Sequence, residues 1–438
     1  MGKETVYSGI PENTMSIELI VFLSMLAVFF ICSFVFKLSA SLGLIAGAVV
    51  GAVVAEHSLP VDYLLEGMFT YFDTIVIIAA AILFMSFVRE SGALDVLNAF
   101  AIRKFHNRPT ILLLIMMAIM MFPGMIVGSS TAAVVSGGAI VYPLLMILGL
   151  PKVETAAFIA MGAILGTTAP PVNIKVMSIC VAMDIPYIGF TWILLLLSVP
   201  IAVFTAIFFG RKYVKNFNYA QIESKLDFQT LEKYGWKVFI PVIVLVVLMV
   251  GPKLFPTWFP SLGMPLIFIV CAIVSVFTGK KFNIVQAAIE GINSVLPVMG
   301  ILIGVGMFIQ IMTLTGVRGL IVNACISLPP VLLYLAMALM IPAFGSISSL
   351  GAATVLGIPF TLAMSSGDPI IVAAGLSSIA GLGELVPPTA LAGLFAARLV
   401  GLDNYLPVIK RCIVPAAVII ACGILCVMFS VPLGKLLV

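Results

Sequence analysis

Four short polar stretches interrupt long apolar runs of this sequence, and they hold most of the residues that could do chemistry. Two are rich in hydroxyls: Gly128-Ser129-Ser130-Thr131 and Gly345-Ser346-Ile347-Ser348-Ser349. Two carry proline pairs: Gly166-Thr167-Thr168-Ala169-Pro170-Pro171-Val172-Asn173 and Gly383-Glu384-Leu385-Val386-Pro387-Pro388-Thr389. A helix broken at such a stretch frees backbone carbonyls and N–H groups. Carbonyls with Ser, Thr and Asn oxygens suit a dehydrated cation, and free N–H groups at a positive helix end suit a carboxylate. Unpartnered backbone groups cost several kcal/mol each in hydrocarbon, so such breaks persist only where protein or a watery cavity satisfies them. For any one break, kinking by Pro and Gly with local serine capping is sufficient. Four breaks in two matched pairs point instead to a shared binding region.

Three ionisable residues lie in or beside these stretches. Lys175 follows the first proline pair, and a cation at membrane depth costs about 3 kcal/mol or more unless it is paired. It is a candidate for a substrate carboxylate; the alternatives are snorkelling to an interface or bonding to carbonyls. Glu384 precedes the second pair and reads either as a cation or proton site or as the partner of a buried base or helix end. Arg398, one to two turns further on, reads as snorkelling to the membrane face. Asp184, Asp368 and Asp403 fall in turns or beside Pro, where helix-starting or loop roles fit better. Gly137-Gly138 and the Gly304/Gly306 pair lack the strand and Lys-Ser/Thr context of a phosphate loop and read as close helix contacts.

The elements that must position these residues are membrane helices. Of 438 residues 62% are hydrophobic and 9% charged, which leaves no polar surface for a large aqueous domain. A mean hydropathy of +1.27 says the same. Apolar stretches of about twenty residues indicate helices, not the short alternating strands of an outer-membrane barrel. The predicted class is an all-α polytopic membrane protein embedded in the lipid bilayer. A net charge of +4 with scattered basic residues gives no nucleic-acid footprint. Two histidines, His57 and His106, both in polar connections, leave haem, zinc-protease and His-triad chemistry without ligands, and no cofactor is expected. The seven cysteines sit mostly in apolar runs without metal spacing and read as small buried hydrophobes. Met15 to Phe36 is too long for a signal-peptide core and reads as a retained first span.

Spans are predicted near 16–36, 39–55 and 71–88, followed by an amphipathic arm at 90–108. A hairpin at 110–150 has its tip at Gly128-Ser129-Ser130-Thr131. A broken helix at 154–183 and a span at 188–209 lead to the longest hydrophilic stretch, 210–236. The second half repeats the order with spans near 237–251, 263–278 and 293–311, an arm at 314–327, a hairpin at 328–366, a broken helix at 369–400 and a last span at 408–431. Ser129-Ser130 recurs at Ser348-Ser349 and Asp184 at Asp403, both 219 residues on, and Pro170-Pro171 recurs at Pro387-Pro388 after 217. These offsets indicate a tandem duplication, residues 1–225 and 226–438.

Each half crosses five times if its hairpin is re-entrant and seven if both arms cross. Both numbers are odd, so the copies must be inverted repeats. Seventeen of the twenty-two Lys and Arg residues fall on one side if the N-terminus is outside, as the positive-inside rule requires. Both termini are therefore expected outside, with the first hairpin opening from the cytoplasm and the second from the exterior.

Gly128-Ser-Ser-Thr-Ala-Ala-Val-Val-Ser-Gly-Gly-Ala-Ile-Val-Tyr-Pro143, with Leu148-Gly-Leu-Pro-Lys152 and Gly162-Ala-Ile-Leu-Gly-Thr-Thr-Ala-Pro-Pro171, resembles the first signature of the large membrane subunit of TRAP transporters, the DctM-like branch of the ion transporter superfamily. Gly383-Glu-Leu-Val-Pro-Pro-Thr-Ala-Leu-Ala-Gly-Leu-Phe395 resembles the second. The span count gives about ten transmembrane helices plus two re-entrant hairpins overall, and the resemblance implies an elevator carrier: a scaffold of outer helices, and a transport domain of both hairpins and both broken helices that slides across the bilayer. It also implies sodium-coupled uptake of carboxylates across a bacterial inner membrane, a small membrane subunit and an extracytoplasmic solute-binding protein, and it leaves homo-oligomerisation open. Carried over by position, it assigns sodium to Gly128, Ser129, Ser130, Gly166 and Thr167 in one half. In the other half it assigns Gly345, Ser346, Ser348, Ser349, Gly383, Pro387 and Thr389. The substrate anion is expected at Thr131, Pro170, Pro171, Asn173, Lys175, Glu384 and Pro388. The chain departs from that pattern at Val172-Asn173, in lacking an acidic residue around Pro342 to Gly345, and in carrying Glu384. Of the rival classes, a passive channel should show polar stripes or charged rings, which are missing. An intramembrane hydrolase would need a base beside a serine, and only Lys175 with Ser129 or Ser130 could supply one.

Overall fold

The computed structural model describes residues 16–55, 59–105, 107–214, 228–255, 257, 262–387 and 390–437. His57, His106, Pro388, Thr389, the segment before Ser16 and the expected boundary at 225/226 lie outside the described residues. Every regular element among the described residues is helical. The first half comprises α1 (Ile17–Phe34), α2 (Ala40–Val54), α3 (Val61–Phe69), α4 (Phe72–Glu90) and α5 (Ala93–Phe105). It continues with α6 (Pro109–Val127), α7 (Ser130–Ala133), a π-helical turn (Val134–Gly138), α8 (Ala139–Ile147), α9 (Lys152–Thr168), α10 (Ile174–Met183) and α11 (Phe190–Gly210). The second half comprises α12 (Phe228–Tyr234), α13 (Ile240–Leu254), α14 (Met264–Thr278), α15 (Ile284–Leu314), α16 (Val317–Ser327) and α17 (Pro330–Gly345). Then come α18 (Ser349–Gly351), a second π-helical turn (Ala352–Leu356), α19 (Gly357–Ala363), α20 (Pro369–Gly381), α21 (Leu391–Leu399), α22 (Leu406–Met428) and α23 (Ser430–Leu437).

Eight helices among the described residues are long and apolar enough to cross a membrane, and two of these, Pro109–Val127 and Ser130–Ile147, are the arms of the first hairpin, so six of the ten expected spans are among them. The other four are two short helices and the two broken ones. α2 and α14 have 15 residues each, about 22 Å at 1.5 Å per residue, and reach the interface only with their flanking residues. Elsewhere helices exceed the expected spans. The span expected at 293–311 is part of α15, 31 residues that continue through Pro297. Neighbouring helices and local adjustments re-satisfy the backbone group freed by a membrane proline. The last span stops at Met428, and a separate short helix, α23, follows.

Small residues decide which helices pack immovably. α15 approaches α2 and α3 closely at two of its glycines. A Cβ on Gly304 would meet the Ser41 carbonyl at 2.7 Å, and one on Gly306 would run into the Gly67 carbonyl. These helices, with α1, α4 and α14, form one packed body. The hairpin and broken-helix elements form another: α6 packs on α9, α9 also on α11, α21 and α22, and α20 on α22. At one end of that body Arg411 Nη2 lies 2.6 Å from Glu154 Oε1, and the Tyr213 hydroxyl donates to the same oxygen at 3.0 Å. Glu154 is only 8% exposed and Arg411 51%, so the pair ties α9 to α22 at its rim. The Glu154 carboxylate holds the Tyr213 phenol above its ordinary value.

Candidate functional site

Each hydroxyl-rich stretch forms a break between two helices. Ser129 ends the first break as the N-cap of α7, its Oγ accepting from the Ala132 N–H at 3.4 Å. Ser348 caps α18 in the same way, accepting from the Gly351 N–H at 2.9 Å. Serine is favoured at both because its oxygen satisfies a donor that the first helical turn leaves free. Gly128 precedes the first cap with φ 70°, and a Cβ there would meet Ile174 Cγ1 at 2.5 Å. Only glycine supplies both that backbone region and that clearance, which sets the first tip onto the start of α10.

The helices are also interrupted at the proline-pair stretches. α9 ends at Thr168, the chain runs extended through a cis Pro170–Pro171 bond, and α10 begins at Ile174. In the second half α20 passes through a 3₁₀ turn, Leu382–Leu385, before α21. Each hairpin presses its backbone onto its broken helix through a glycine. A Cβ on Gly166 would meet the Met121 carbonyl at 2.5 Å, and one on Gly383 would overlap the Gly345 backbone. Gly166, Gly345 and Gly383, expected as cation ligands, therefore hold the tips in place in this structure and do not line the cavity between them.

That cavity is bounded by Gly128, Ser129, Ser130 and Thr131 of the first tip and by Ile347, Ser348, Ser349 and Leu350 of the second. Ile174 and Lys175 come from α10, Glu384 from the 3₁₀ turn and Leu391 from α21, while Val298 and Ile301 of α15 close the side facing the other packed body. Both tips and both broken helices thus reach one place. Eight expected residues converge here: Gly128, Ser129, Ser130, Thr131, Lys175, Ser348, Ser349 and Glu384. The apolar wall of Val298 and Ile301 was not expected, and no local signal marks those two among the other aliphatic residues of α15.

Lys175 and Glu384 are the charged side chains in this lining. Lys175 is 3% exposed and its Nζ donates to Thr167 Oγ1 at 3.0 Å. Thr167 in turn donates to the Ile164 carbonyl at 2.9 Å, so its oxygen is oriented to accept. The lysine stem runs across to the second broken helix, where a Cβ on Gly381 would come 3.6 Å from Lys175 Cε. Glu384 is held on one side only. Its Oε1 accepts from Ser349 Oγ at 2.8 Å, and its buried Oε2 has no partner among the described residues.

The remaining expected residues lie outside this lining. Asn173 is fully buried and committed locally: its amide nitrogen donates to the Thr168 carbonyl at 3.0 Å and to Ser377 Oγ at 3.2 Å, and its Oδ1 accepts from the Val176 N–H at 3.1 Å. Those bonds brace the break against α20. The Pro171 carbonyl accepts from the Tyr187 hydroxyl at 3.1 Å. Ser346 donates to the Ala343 carbonyl at 2.6 Å, Pro170 lies in the extended turn, and Pro387 is exposed. Asp368 caps α20 and Arg398 is exposed in the last turn of α21, as the sequence suggests.

Residues 19–432 match a family described as DcuC, C4-dicarboxylate anaerobic carrier. No curated protein matches the chain. Two solved structures are similar in fold. The YdaH transporter of Alcanivorax borkumensis, reported to have an unusual topology, is 16% identical, with a TM-score of 0.57 over 85% of this chain and 90% of that one. MtrF of Neisseria gonorrhoeae, described as illuminating a class of antimetabolite efflux pumps, is 14% identical, with a TM-score of 0.59 over 96% of each chain. Both likenesses establish a multi-pass membrane transporter fold.

Proposed function

Because the chain belongs to the C4-dicarboxylate anaerobic carrier family, we propose that it is a secondary active transporter taking up a four-carbon dicarboxylate, driven by sodium, with the cavity between the two hairpin tips as its binding site. The observation that supports this most directly is the convergence of both tips, Lys175 and Glu384 on one cavity. Lys175 offers a buried cation with a single hydrogen-bond partner among the described residues, a ready contact for one carboxylate. The Ser129–Thr131 and Ser348–Ser349 hydroxyls suit sodium and the second carboxylate. Each cation crossing 100 mV contributes about 2.3 kcal/mol, so a dianion needs two cations for electroneutral uptake and a third to draw on the membrane potential.

The proposed movement is of the elevator type. In support, glycine contacts lock α15 to α2 and α3, whereas α15 meets the tip region through the apolar side chains Val298 and Ile301. An inverted duplication, with both termini outside a bacterial inner membrane, supplies the paired tips. The likeness of the two motif stretches to the TRAP large subunit favours the same broad architecture. The small membrane subunit and extracytoplasmic binding protein of that family are the part of the likeness that transport by this chain alone would remove. The runner-up reading is proton-coupled or partner-independent carriage, which Glu384 favours. Proteoliposomes holding this chain alone, loaded with an imposed sodium or proton gradient and given labelled succinate, test these readings together. Sodium-stimulated uptake supports the proposal. Uptake under a proton gradient alone shifts the coupling to protons, and flux that no gradient or unlabelled substrate alters would mean a channel.

A further inference from the structure

We infer that Glu384 is a coupling-cation site: one monovalent cation, proton or sodium, binds at its Oε2, which has no partner among the described residues, together with the dicarboxylate, so that the anion and this cation bind cooperatively. This deepens the reading of the cavity as a dicarboxylate site and rests on it. Three observations meet here. Glu384 lines the same cavity as Lys175, so with both ionised the unliganded site is balanced in charge. One carboxylate oxygen is fixed by Ser349 and the other, buried, has nothing to accept from among the described residues. An unsatisfied buried acceptor costs about 1–3 kcal/mol and more when it is charged, so this oxygen needs a proton or cation once water leaves the site.

The arriving substrate makes that requirement stronger. A dianion placed on Lys175 sets two further negative charges beside the Glu384 carboxylate, and like charges in a shared site favour neutralising one of them. The elements packed against the Leu382–Leu385 turn are α9, α17, α18, α20 and α21. Their other titratable or charged groups are Lys152 and Glu154 at the start of α9, Tyr334 near the start of α17 and Arg398 near the end of α21, and none lines the cavity. Lys175 is thus the one cation opposing Glu384 in the lining, and a bound dicarboxylate competes for it. Linkage then requires that the cation raise the affinity for the anion by the factor by which the anion raises that for the cation.

Succinate binding to the purified full chain, measured by calorimetry across sodium concentration at fixed pH and across pH at fixed sodium, tests the inference. In the wild type, affinity should rise with sodium or with acidity, and the slope that Glu384→Gln lowers identifies the cation at this carboxylate. Glu384→Gln should bind succinate but take up about one cation fewer with it, seen as a drop of about one in the log–log slope. An unchanged slope in folded Glu384→Gln overturns the inference while leaving the dicarboxylate site standing. Failure of the wild type to bind any four-carbon dicarboxylate overturns both. Should Glu384→Gln not fold, Ser349→Ala, which frees Oε1, is to shift the cation midpoint several-fold; an unmoved midpoint counts against the inference.

Discussion

Lys175→Met removes the one cation from the lining of the cavity between the tips. Methionine is close to lysine in length and flexibility but carries no charge, so it fills the path past Gly381 without leaving a hole. The wild-type amine is 3% exposed, has Thr167 Oγ1 as its one hydrogen-bond partner among the described residues, and is the one cation opposing Glu384 in the lining. Removing one partner of a buried charge pair costs about 3–5 kcal/mol, so Lys175→Met should melt lower in detergent, whereas Lys175→Met combined with Glu384→Gln, which removes both charges, should melt unchanged or higher. Substrate binding falls for a separate reason. A charge-assisted hydrogen bond to a carboxylate is worth about 1.5–3 kcal/mol, and 1.4 kcal/mol is tenfold in affinity, so the succinate Kd should rise by about 10- to 150-fold. Lys175→Arg should fall between, because the longer planar fork cannot sit in the same slot beside Thr167. Calorimetric titration and melting of the same preparations supply both readings. A Kd within threefold of wild type, in a protein that is folded at the titration temperature, would refute the role of Lys175 as the carboxylate contact.

Gly383→Val places side-chain atoms into the Gly345 backbone, and the overlap should cost about 1–3 kcal/mol in unfolding experiments. Gly319→Ala, whose added Cβ meets nothing within 4 Å, should be neutral or slightly stabilising in the same assay. Ser129→Ala and Ser348→Ala each remove a tip N-cap, costing about 1 kcal/mol, and together they should weaken sodium stimulation of uptake more than uptake at saturating sodium. Asn173→Ala strips three hydrogen bonds from a fully buried break and should lower stability by about 2–3 kcal/mol, with transport falling in proportion to folded protein. Arg411→Ala loosens α22 from α9, but its partner pair is half-exposed on the arginine side, so the melting penalty should be about 1 kcal/mol and should shrink with added salt.

The sequence by itself determined the class of the protein and where its helices break. Apolar runs without polar surface can only be membrane helices, and proline pairs and serine clusters interrupt them by local sterics and capping, so α9 and α10 part at Pro170-Pro171 and α6 ends at Gly128 as the residues dictate. Which of the residues at the breaks line the cavity was decided only in three dimensions. Asn173 has the right chemistry for a ligand, yet Ser377, two hundred residues away, takes up its amide and turns it into a brace. Gly166 and Gly383 mark the breaks, yet they serve close helix approach because a neighbouring backbone occupies the space beside them. Val298 and Ile301 carry no local mark at all; only the packing of α15 across the tips makes them a wall. Local conformation follows from neighbouring residues and the solvent each must avoid, whereas the lining of a cavity depends on long-range contacts that no single stretch of chain encodes.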